Sequence, residues 1–426
     1  MNFVEELKWR GMIHDIMPDT ESYLSKNKVS GYIGFDPTSD SLHIGSLVQI
    51  MILVHFQRHG HSPYILVGGA TGMVGDPSGK SKERNLLDKE ELFKNVDAIQ
   101  AQLAKFLKFE DVPNAAAIVN NYDWFKSFNF LDFIRDVGKH ISVNYMMAKE
   151  SVKKRLETGI SFTEFSYQLV QGYDFYWLYK NHQCKVQMGG SDQWGNIVTG
   201  TELIRRMDGG TAFAITTPLI QKADGTKFGK TEEGNVWLDP KKTSPYKFYQ
   251  YWINSSDEDA KNYIKIFTLK TKDEIDELIK EHDINPGLRL LQKELAKSIT
   301  IMVHGEENFV AAQEASTILF KKGDEAVKSL KTLSDKMFME IFEGVPQKSI
   351  AISDIESGAS ITEVLSSMSG FLKSNGEARR ALQENSISVN KLKANIDTII
   401  NADDLIAGQY ILLQRGKKNY FVLVVN

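Results

Sequence analysis

The run Ser30-Gly-Tyr-Ile-Gly-Phe-Asp-Pro-Thr-Ser-Asp-Ser-Leu-His-Ile-Gly-Ser46 decides how the rest of the chain is interpreted. Residues 29–35 alternate and are rich in β-branched and aromatic side chains, a pattern that predicts a strand. Residues 36–41 are turn formers, and apolar side chains then recur at positions 47, 50, 51 and 54, which predicts a helix ending at Gly60. The sequence therefore predicts a strand, a tight polar loop and a helix, whose free backbone N–H groups are suited to phosphate.

Thr38 and His43 lie in the predicted loop or first helical turn, where both side chains could donate hydrogen bonds to phosphate oxygens. A purely structural interpretation is also open at this point: Asp40 or Ser41 caps the helix, and His43 packs locally. A single motif match is weak evidence for function. The interpretation of this loop therefore depends on signals elsewhere in the chain.

The composition is that of a globular protein with two or three domains: 426 residues, 42% apolar and 25% charged, with a formal net charge of −4. This charge excludes a broadly basic protein, so nucleic-acid contacts have to come from local patches. The single cysteine, Cys184, excludes an intramolecular disulfide and a cysteine-rich zinc site. No apolar run could span a bilayer and no signal peptide is visible, so we expect a cytoplasmic protein with no membrane partner.

Strand and helix patterns alternate along the first half of the chain. Strands are predicted at 63–67, 116–120 and 185–188, and helices at 128–157, 163–180 and 193–207. Such alternation predicts an α/β fold with an open parallel sheet, in which ligands bind at the carboxyl ends of the strands.

The pattern changes after Thr243, where an all-helical domain is predicted. Its helices are expected at 244–254, 256–267, 271–282, 286–304 and 306–321. Residues 322–355 show little periodicity and are interpreted as a linker. From Ser360 a small α+β module follows, and it ends in a hairpin of 410–414 and 420–425.

Two glycine-rich stretches invite comparison with a P-loop, and both fail on spacing. Gly225 and Gly229, like Gly75 and Gly79, are separated by three residues, whereas a P-loop needs four. We interpret residues 222–231 instead as a mobile hairpin whose lysines close on a triphosphate and stabilise the charge that develops there. The alternative is a solvated basic turn.

A further group of polar residues falls on one helix face. Tyr167, Gln171 and Asp174 are spaced i, i+4, i+7, so their side chains point the same way. Among apolar neighbours, a phenol, an amide and a carboxylate suit a small polar ligand, although an exposed polar stripe is the alternative. Downstream, Gly190 permits close approach of a ligand and Asp192 suits a ribose hydroxyl.

Taken together, these stretches resemble the bacterial tyrosyl-tRNA synthetases, a family of class I aminoacyl-tRNA synthetases. The two class I signatures are present as His43-Ile44-Gly45-Ser46 and Lys227-Phe228-Gly229-Lys230-Thr231. Residues 32–47, 68–80, 187–196 and 218–231 are similar to the family in order and spacing. The family's first signature commonly ends in His, and Ser46 departs from it, which puts direct nucleotide contact at this position in doubt.

The resemblance implies a role for each matching residue. For tyrosine, it implies that Tyr32 and Asp174 hold the phenol hydroxyl, Asp76, Tyr167 and Gln171 the ammonium group, and Gln193 the carboxylate side. For ATP, it implies Asp36, Gly34, Gly45, Ser46, Gly190, Asp192, Lys230 and Thr231. Thr38, His43, Lys227 and Lys230 would grip the leaving pyrophosphate, assisted by Lys80 and Arg84 on a mobile loop.

The C-terminal module resembles a small RNA-binding domain shared with a small-subunit ribosomal protein, on the runs 374–380 and 388–391. Its cationic residues are suited to phosphate contacts with structured RNA; they are Arg379, Arg380, Lys391, Lys393, Arg415, Lys417 and Lys418. The expected domains are a Rossmann-like catalytic domain (1–220), the signature loop with a helical anticodon-side domain (221–330), a linker (331–355) and the RNA-binding module (356–426).

The resemblance implies an ATP-dependent, AMP-forming enzyme that activates L-tyrosine to tyrosyl-adenylate and transfers it to the 3′ end of its tRNA. ATP would enter with Mg²⁺, no metal would be bound by the protein itself, and a homodimer would form through residues around 120–160. His55, His59 and His61 do not have the spacing of a metal site. The alternatives are the related tryptophan enzyme and an RNA-binding protein on an inactive synthetase fold.

Overall fold

A six-stranded, mostly parallel sheet lies at the centre of the first part of the chain. The structure is a computed structural model, and it describes residues 1–74, 88–150, 152–153, 159–231, 234–318, 323–416 and 419–426. The strands are β1 (Asp15–Ile16), β2 (Ser30–Phe35), β3 (Ser62–Val67), β4 (Ala117–Asn120), β5 (Cys184–Gly190) and β6 (Phe213–Thr217). They are ordered β1-β6-β5-β2-β3-β4, with β2 to β6 parallel and β1 antiparallel to β6.

This order confirms the predicted parallel sheet and adds a short antiparallel edge strand that the sequence did not predict. The chain runs outward from β2 through β3 to β4, and then returns to place β5 and β6 on the other side of β2. The point between β2 and β5, where the direction reverses, leaves a crevice at the carboxyl ends of both strands. Ligands of open α/β sheets bind in such crevices.

Nine helices accompany the sheet in the described residues. They are α1 (Phe3–Trp9), α2 (Thr20–Lys26), α3 (Leu47–Arg58), α4 (Lys89–Leu103), α5 (Tyr122–Phe125), α6 (Phe130–Asp136), α7 (Val143–Met147), α8 (Phe162–His182) and α9 (Trp194–Asp208). Helix α3 ends where the sequence predicted, but it is buried on nearly all sides from Leu47 to Phe56 rather than along one stripe. A helix of this kind belongs to the interior, which makes it a rigid support for the loop before it.

The single long helix predicted at 128–157 is wrong, because the described part of this segment is broken. Asn129 caps α6, a 3₁₀ turn at 138–140 follows, and Ser142 caps α7. Each cap uses a side-chain oxygen to accept a backbone N–H, so each favours a new helix start over continuation of the previous one.

The helices predicted after Thr243 are confirmed, with bounds that differ by a few residues. They are α10 (Pro245–Ile253), α11 (Asp257–Phe267), α12 (Lys272–Ile284), α13 (Leu290–His304) and α14 (Glu306–Ile318). By its contacts the chain divides into two units, residues 1–243 with 252–303, and residues 244–251 with 304–426. Between β6 and α10, the hairpin of β7 (Lys230–Thr231) and β8 (Gly234–Asn235) belongs to the first unit.

The second unit ends in a five-stranded sheet of order β12-β11-β14-β15-β9. Its elements are α15 (Gly323–Lys331), α16 (Asp335–Ile341), β9 (Gln347–Ile350), α17 (Ser353–Glu356), β10 (Ala359–Ser360), α18 (Ile361–Glu363), α19 (Asn375–Gln383), β11 (Ile387–Val389), β12 (Leu392–Lys393), β13 (Ile399–Ile400), β14 (Tyr410–Arg415) and β15 (Asn419–Val425). The predicted terminal hairpin is confirmed as β14 and β15. Residues 331–355 are not irregular chain as expected, since they contain α16 and β9, and β9 pairs in parallel with β15.

Candidate active site

Two neighbouring cavities lie at the crevice between β2 and β5. The first, of about 220 Å³, is lined by Tyr32, Gly34, Asp36, Tyr167, Gln171, Asp174, Gly190, Asp192 and Gln193, among others. The second, of about 570 Å³, is lined by Gly34, Asp36, Thr38, His43, Gly45, Ser46 and Lys230, among others. Gly34, Phe35, Asp36 and Gln49 border both cavities. The structure thus brings together most of the site residues that the sequence predicted.

Tyr32 places an unpaired hydroxyl inside the first cavity. Its side chain is 1% exposed, its ring packs edge-on against Phe175, and its hydroxyl has no hydrogen-bond partner among the described residues. Burial, together with the nearby Asp174, raises the pKa of Tyr32 well above its usual value, so the hydroxyl keeps its proton. A buried unpaired donor is costly in a folded protein, and it marks a place that a ligand group completes.

Asp174 lies beside Tyr32 and is held by two donors that the sequence did not predict. Asn121 Nδ2 donates to Oδ2 at 3.0 Å, and Trp124 Nε1 donates to Oδ1 at 2.9 Å. Burial raises the pKa of Asp174 to about 8, and the two hydrogen bonds oppose this rise. The indole of Trp124 is fixed in turn by stacking on Trp177 at 4.2 Å between ring centroids. The carboxylate is therefore oriented before any ligand arrives.

Asp36 occupies the border between the cavities, closer to the first than its predicted nucleotide role suggested. The hydroxyl of Tyr167 donates to its carboxylate at 3.2 Å, and that of Thr71 at 3.4 Å. Gln171 is held from the opposite side, because Asn196 Nδ2 donates to its Oε1 at 2.9 Å. This border is where a group shared by both cavities has to lie.

The first signature forms a turn that orients its histidine. His43 is the N-cap of a 3₁₀ turn at residues 44–46, and its Nδ1 accepts the Gly45 N–H at 3.0 Å. In neutral imidazole the other nitrogen, Nε2, then carries the proton and is a donor. Gly45 is required here, since a Cβ would lie 2.7 Å from His43 Cε1. Capping by Asp40 or Ser41, the structural alternative, is wrong.

The second signature is attached to the first by backbone hydrogen bonds. Val236 links them, because its carbonyl accepts the Ile44 N–H at 2.9 Å and its own N–H donates to the Gly229 carbonyl at 3.1 Å. Gly229 adopts φ +81°, a conformation that favours glycine, and passes close to Ile44. As a result, Lys230 lines the same cavity as His43. Lys227 is exposed and lines neither cavity.

Several predicted site residues lie outside the described part of the chain. Asp76, Lys80, Arg84, Lys417 and Lys418 are not among the described residues, and the side chain of Thr231 is not described. Their roles stay predictions. Gly190, by contrast, lines the first cavity, where a Cβ would lie 2.5 Å from Asp192 Oδ1, and the Gln193 amide donates to Asp192 at 3.2 Å.

The cationic residues of the C-terminal module fall into two groups. Arg379 and Arg380 are exposed on α19, and Lys393 is exposed with its ammonium bonded to the Asn385 carbonyl. Lys391 is 9% exposed and donates to the Tyr420 hydroxyl at 2.8 Å, and burial lowers its pKa to about 8. Arg415 pairs with Glu377 at 2.7 Å. The first group is therefore the better placed for RNA.

Metal ligation and membrane insertion find no support in the part of the chain that the structure describes. There, no group of three or more histidine, cysteine, aspartate or glutamate side chains converges in a way that would hold a metal ion. None of the helices described combines the length and the apolar character needed to cross a membrane.

Comparison with known proteins gives full-length matches. The family model for class I tRNA synthetases (W and Y) matches residues 24–321, and that for the tyrosine–tRNA ligase SYY-like C-terminal domain matches residues 338–423. The tyrosine–tRNA ligases of Flavobacterium johnsoniae and Bacteroides fragilis are 62% and 60% identical, over 100% of this chain and 99% and 100% of theirs. A C-terminally truncated mitochondrial tyrosyl-tRNA synthetase from Aspergillus nidulans superposes with a TM-score of 0.69 at 30% identity, covering 75% of this chain and 94% of that one. An Archaeoglobus fulgidus tyrosyl-tRNA synthetase, at 16% identity and a TM-score of 0.52 over 73% of this chain and 99% of that one, shares the fold.

Proposed function

The chain belongs to the class I tRNA synthetases, in the family of tyrosine–tRNA ligases, and from this membership we propose how its two cavities divide the reaction. Its function is ATP-dependent charging of tRNA with tyrosine. We assign the side chain of tyrosine to the first cavity and the phosphates of ATP to the second. The observation that carries this assignment is the unpaired hydroxyl of Tyr32 beside the oriented carboxylate of Asp174.

Tyrosine fits the first cavity because its hydroxyl both accepts and donates a hydrogen bond. The hydroxyl of Tyr32 donates to the substrate oxygen, and Asp174 accepts the substrate proton. Tyr167 and Gln171, which line the same cavity, face the amino group, with Asp76 as a further predicted contact. A substrate that leaves such polar groups unpaired is rejected strongly. Tyrosine enzymes of this class are the standard example, and their general discrimination of about 10⁵ against phenylalanine, a class value rather than one derived from this structure, needs no editing domain.

Adenylate formation then needs alignment and charge stabilisation more than acid–base chemistry. The tyrosine carboxylate is already a nucleophile, and its attack on the α-phosphorus takes place near Asp36 and Gln49, where the cavities meet. Negative charge moves to the leaving pyrophosphate, where Thr38, His43 and Lys230 provide donors. Lys227, Lys80 and Arg84 join them on closing, and Mg²⁺ enters bound to the ATP as part of the substrate.

The test is tyrosine-dependent exchange of pyrophosphate into ATP, with phenylalanine and tryptophan as competing amino acids. We expect exchange with tyrosine alone. The variant Lys230→Ala should bind tyrosine normally and form adenylate roughly 10²–10³ times more slowly, the loss that follows removal of one transition-state donor. Exchange with tryptophan would favour the related enzyme, and no exchange at all would favour an RNA-binding protein on an inactive fold.

We also propose that the enzyme is a homodimer through the segment around residues 120–160. Supporting this, large apolar side chains between 40% and 72% exposed cluster there and just beyond it, namely Phe130, Leu131, Ile134, Val143, Met147 and Phe162. Patches of this kind on a folded unit are typical of interfaces. In analytical ultracentrifugation, Leu131→Asp should give monomers, whereas Ile284→Asp, at a position that is 85% exposed in the helical part, should not.

The C-terminal module is proposed to bind the tRNA, with Arg379 and Arg380 as the exposed contacts. The domain limits at residues 220, 330 and 355 stay a proposal, and the pairing of β9 with β15 supports an earlier start for the module. We place the enzyme in the cytoplasm, because charged tRNA is consumed there.

A further inference from the structure

An ion pair with no assigned role lies at the rim of the phosphate cavity. The ammonium of Lys242 contacts the carboxylate of Asp40 and lies 3.4 Å from Ser39 Oγ. It also lies over the indole of Trp237, 4.9 Å from the ring centroid. Ser39 and Trp237 both line the second cavity, and Ser39 Oγ is 3.2 Å from Asp40 Oδ1. The pair is thus in contact with the cavity wall.

The backbone carrying Lys242 is fixed independently of its side chain. The N–H groups of Lys242 and Thr243 both donate to the Asp239 carbonyl at 3.0 Å, which makes a tight turn. The Asp239 N–H donates to Ser41 Oγ at 3.2 Å, so this turn is attached to the loop of the first signature. The position of the lysine is therefore built into the fold.

The loop that carries Asp40 is likewise held without the ion pair. From α4, Gln102 accepts the Leu42 N–H at 2.9 Å and donates to Ser41 Oγ at 3.1 Å. Asn95, on the same helix, donates to the Pro37 carbonyl at 3.2 Å. Ion pairs that are partly exposed contribute little to stability. Tethering of the loop is consequently a poor explanation for Lys242.

Charge gives a better explanation. The Lys242 ammonium holds the pKa of Asp40 below its usual range, so this carboxyl is ionised. A carboxylate at the rim of a cavity for a polyanion repels the ligand, and Asp36 already adds one negative charge to the cavity wall. The cations on the same wall, such as Lys230, would be offset if Asp40 had no partner.

We propose that Lys242 is a positioning residue for ATP, which acts through Asp40 by neutralising this carboxylate beside the phosphate cavity. The inference rests on the proposed assignment of ATP to that cavity. Asp40 begins the polar turn that leads into His43, and Lys242 lets this turn approach the phosphates without repelling them. The effect depends on the charge of Lys242 and acts on ATP rather than on tyrosine.

The test compares Lys242→Met, Asp40→Asn, the double variant and Lys242→Arg by pyrophosphate exchange, with Lys241→Met as a neighbouring lysine control. At low salt, Lys242→Met should raise KM for ATP about tenfold, as one uncompensated charge acting on a polyphosphate through water predicts, with KM for tyrosine unchanged. Added salt should narrow the difference. The double variant should regain a KM for ATP within about twofold of the wild type, and Lys242→Arg and Lys241→Met should behave as wild type.

Three outcomes would overturn the proposal. A double variant as impaired as Lys242→Met would mean that the lysine contacts the phosphates directly. Equal impairment by Asp40→Asn alone would mean that the pair tethers the loop, and an unchanged KM in Lys242→Met would leave only a surface ion pair. Wild-type enzyme without any tyrosine-dependent exchange would instead contradict the proposed function, so the two failures are distinguishable.

Discussion

Replacing Tyr32 by phenylalanine should stabilise the ligand-free enzyme while weakening its grip on tyrosine. The substitution removes only an oxygen that is buried without a partner among the described residues, and leaves the edge-on contact with Phe175. An unsatisfied buried polar group costs about 1–3 kcal/mol, so we expect the free energy of unfolding to rise by about 1 kcal/mol. The lost hydrogen bond to the substrate hydroxyl is worth about 0.5–1.5 kcal/mol, which corresponds to roughly two- to tenfold weaker binding of tyrosine.

The two effects are measured by urea unfolding of the ligand-free protein and by equilibrium dialysis with tyrosine and phenylalanine. Binding of phenylalanine, which has no hydroxyl, should not change. The matched control is Tyr167→Phe, which removes a hydroxyl that donates to Asp36 at 3.2 Å and should therefore lower the free energy of unfolding. Loss of stability in Tyr32→Phe, with both amino acids weakened equally, would refute the reasoning.

Three other perturbations separate the buried carboxyl, the signature turn and the RNA-binding surface. Burial raises the pKa of Asp174 from 3.8 to about 8. The folded state therefore keeps a proton that the unfolded state has lost, and the free energy of unfolding, relative to Asp174→Asn, should fall as the pH rises from about 4 to about 8 and then stay level; a flat difference would contradict this. Gly45→Ala would place a Cβ 2.7 Å from His43 Cε1. It should slow adenylate formation roughly 10²-fold without altering tyrosine binding, and an unchanged rate in stopped-flow would contradict the role of His43. Arg379→Glu with Arg380→Glu should reduce tRNA charging and the salt dependence of tRNA binding while pyrophosphate exchange stays normal, and normal charging would exclude this surface.

Much of the architecture was predictable because it is specified locally. The strand, loop and helix of residues 30–58 follow from side-chain alternation and turn chemistry, and α8 follows from a continuous helical pattern. The spacing of Tyr167, Gln171 and Asp174 on α8 correctly predicted that they share one cavity. Their common orientation is a property of the helix and needs no knowledge of distant residues.

Long-range choices were not predictable in this way. The donors that orient Asp174 lie about 50 residues upstream, after β4, where a polar residue and an indole in a turn carry no distinctive pattern. The strand β9 was missed because its pattern is weak, and its partner β15 lies at the opposite end of the module. The breaks in 128–157 were missed because Asn129 and Ser142 compete with an otherwise helical pattern. In each case a tertiary or capping contact overrides the periodicity.

The choice between tyrosine and tryptophan depends on what the two unmet groups of the first cavity require. Tyr32 offers a hydroxyl with no partner among the described residues, and Asp174 offers a carboxylate whose ordinary pKa is raised by burial. An indole N–H donates only, so it could serve Asp174 but would leave the Tyr32 proton unpaired, and a phenyl ring would serve neither. A phenol hydroxyl accepts from one and donates to the other. Both buried polar groups, each unfavourable by itself, are therefore satisfied together by tyrosine alone among the aromatic amino acids.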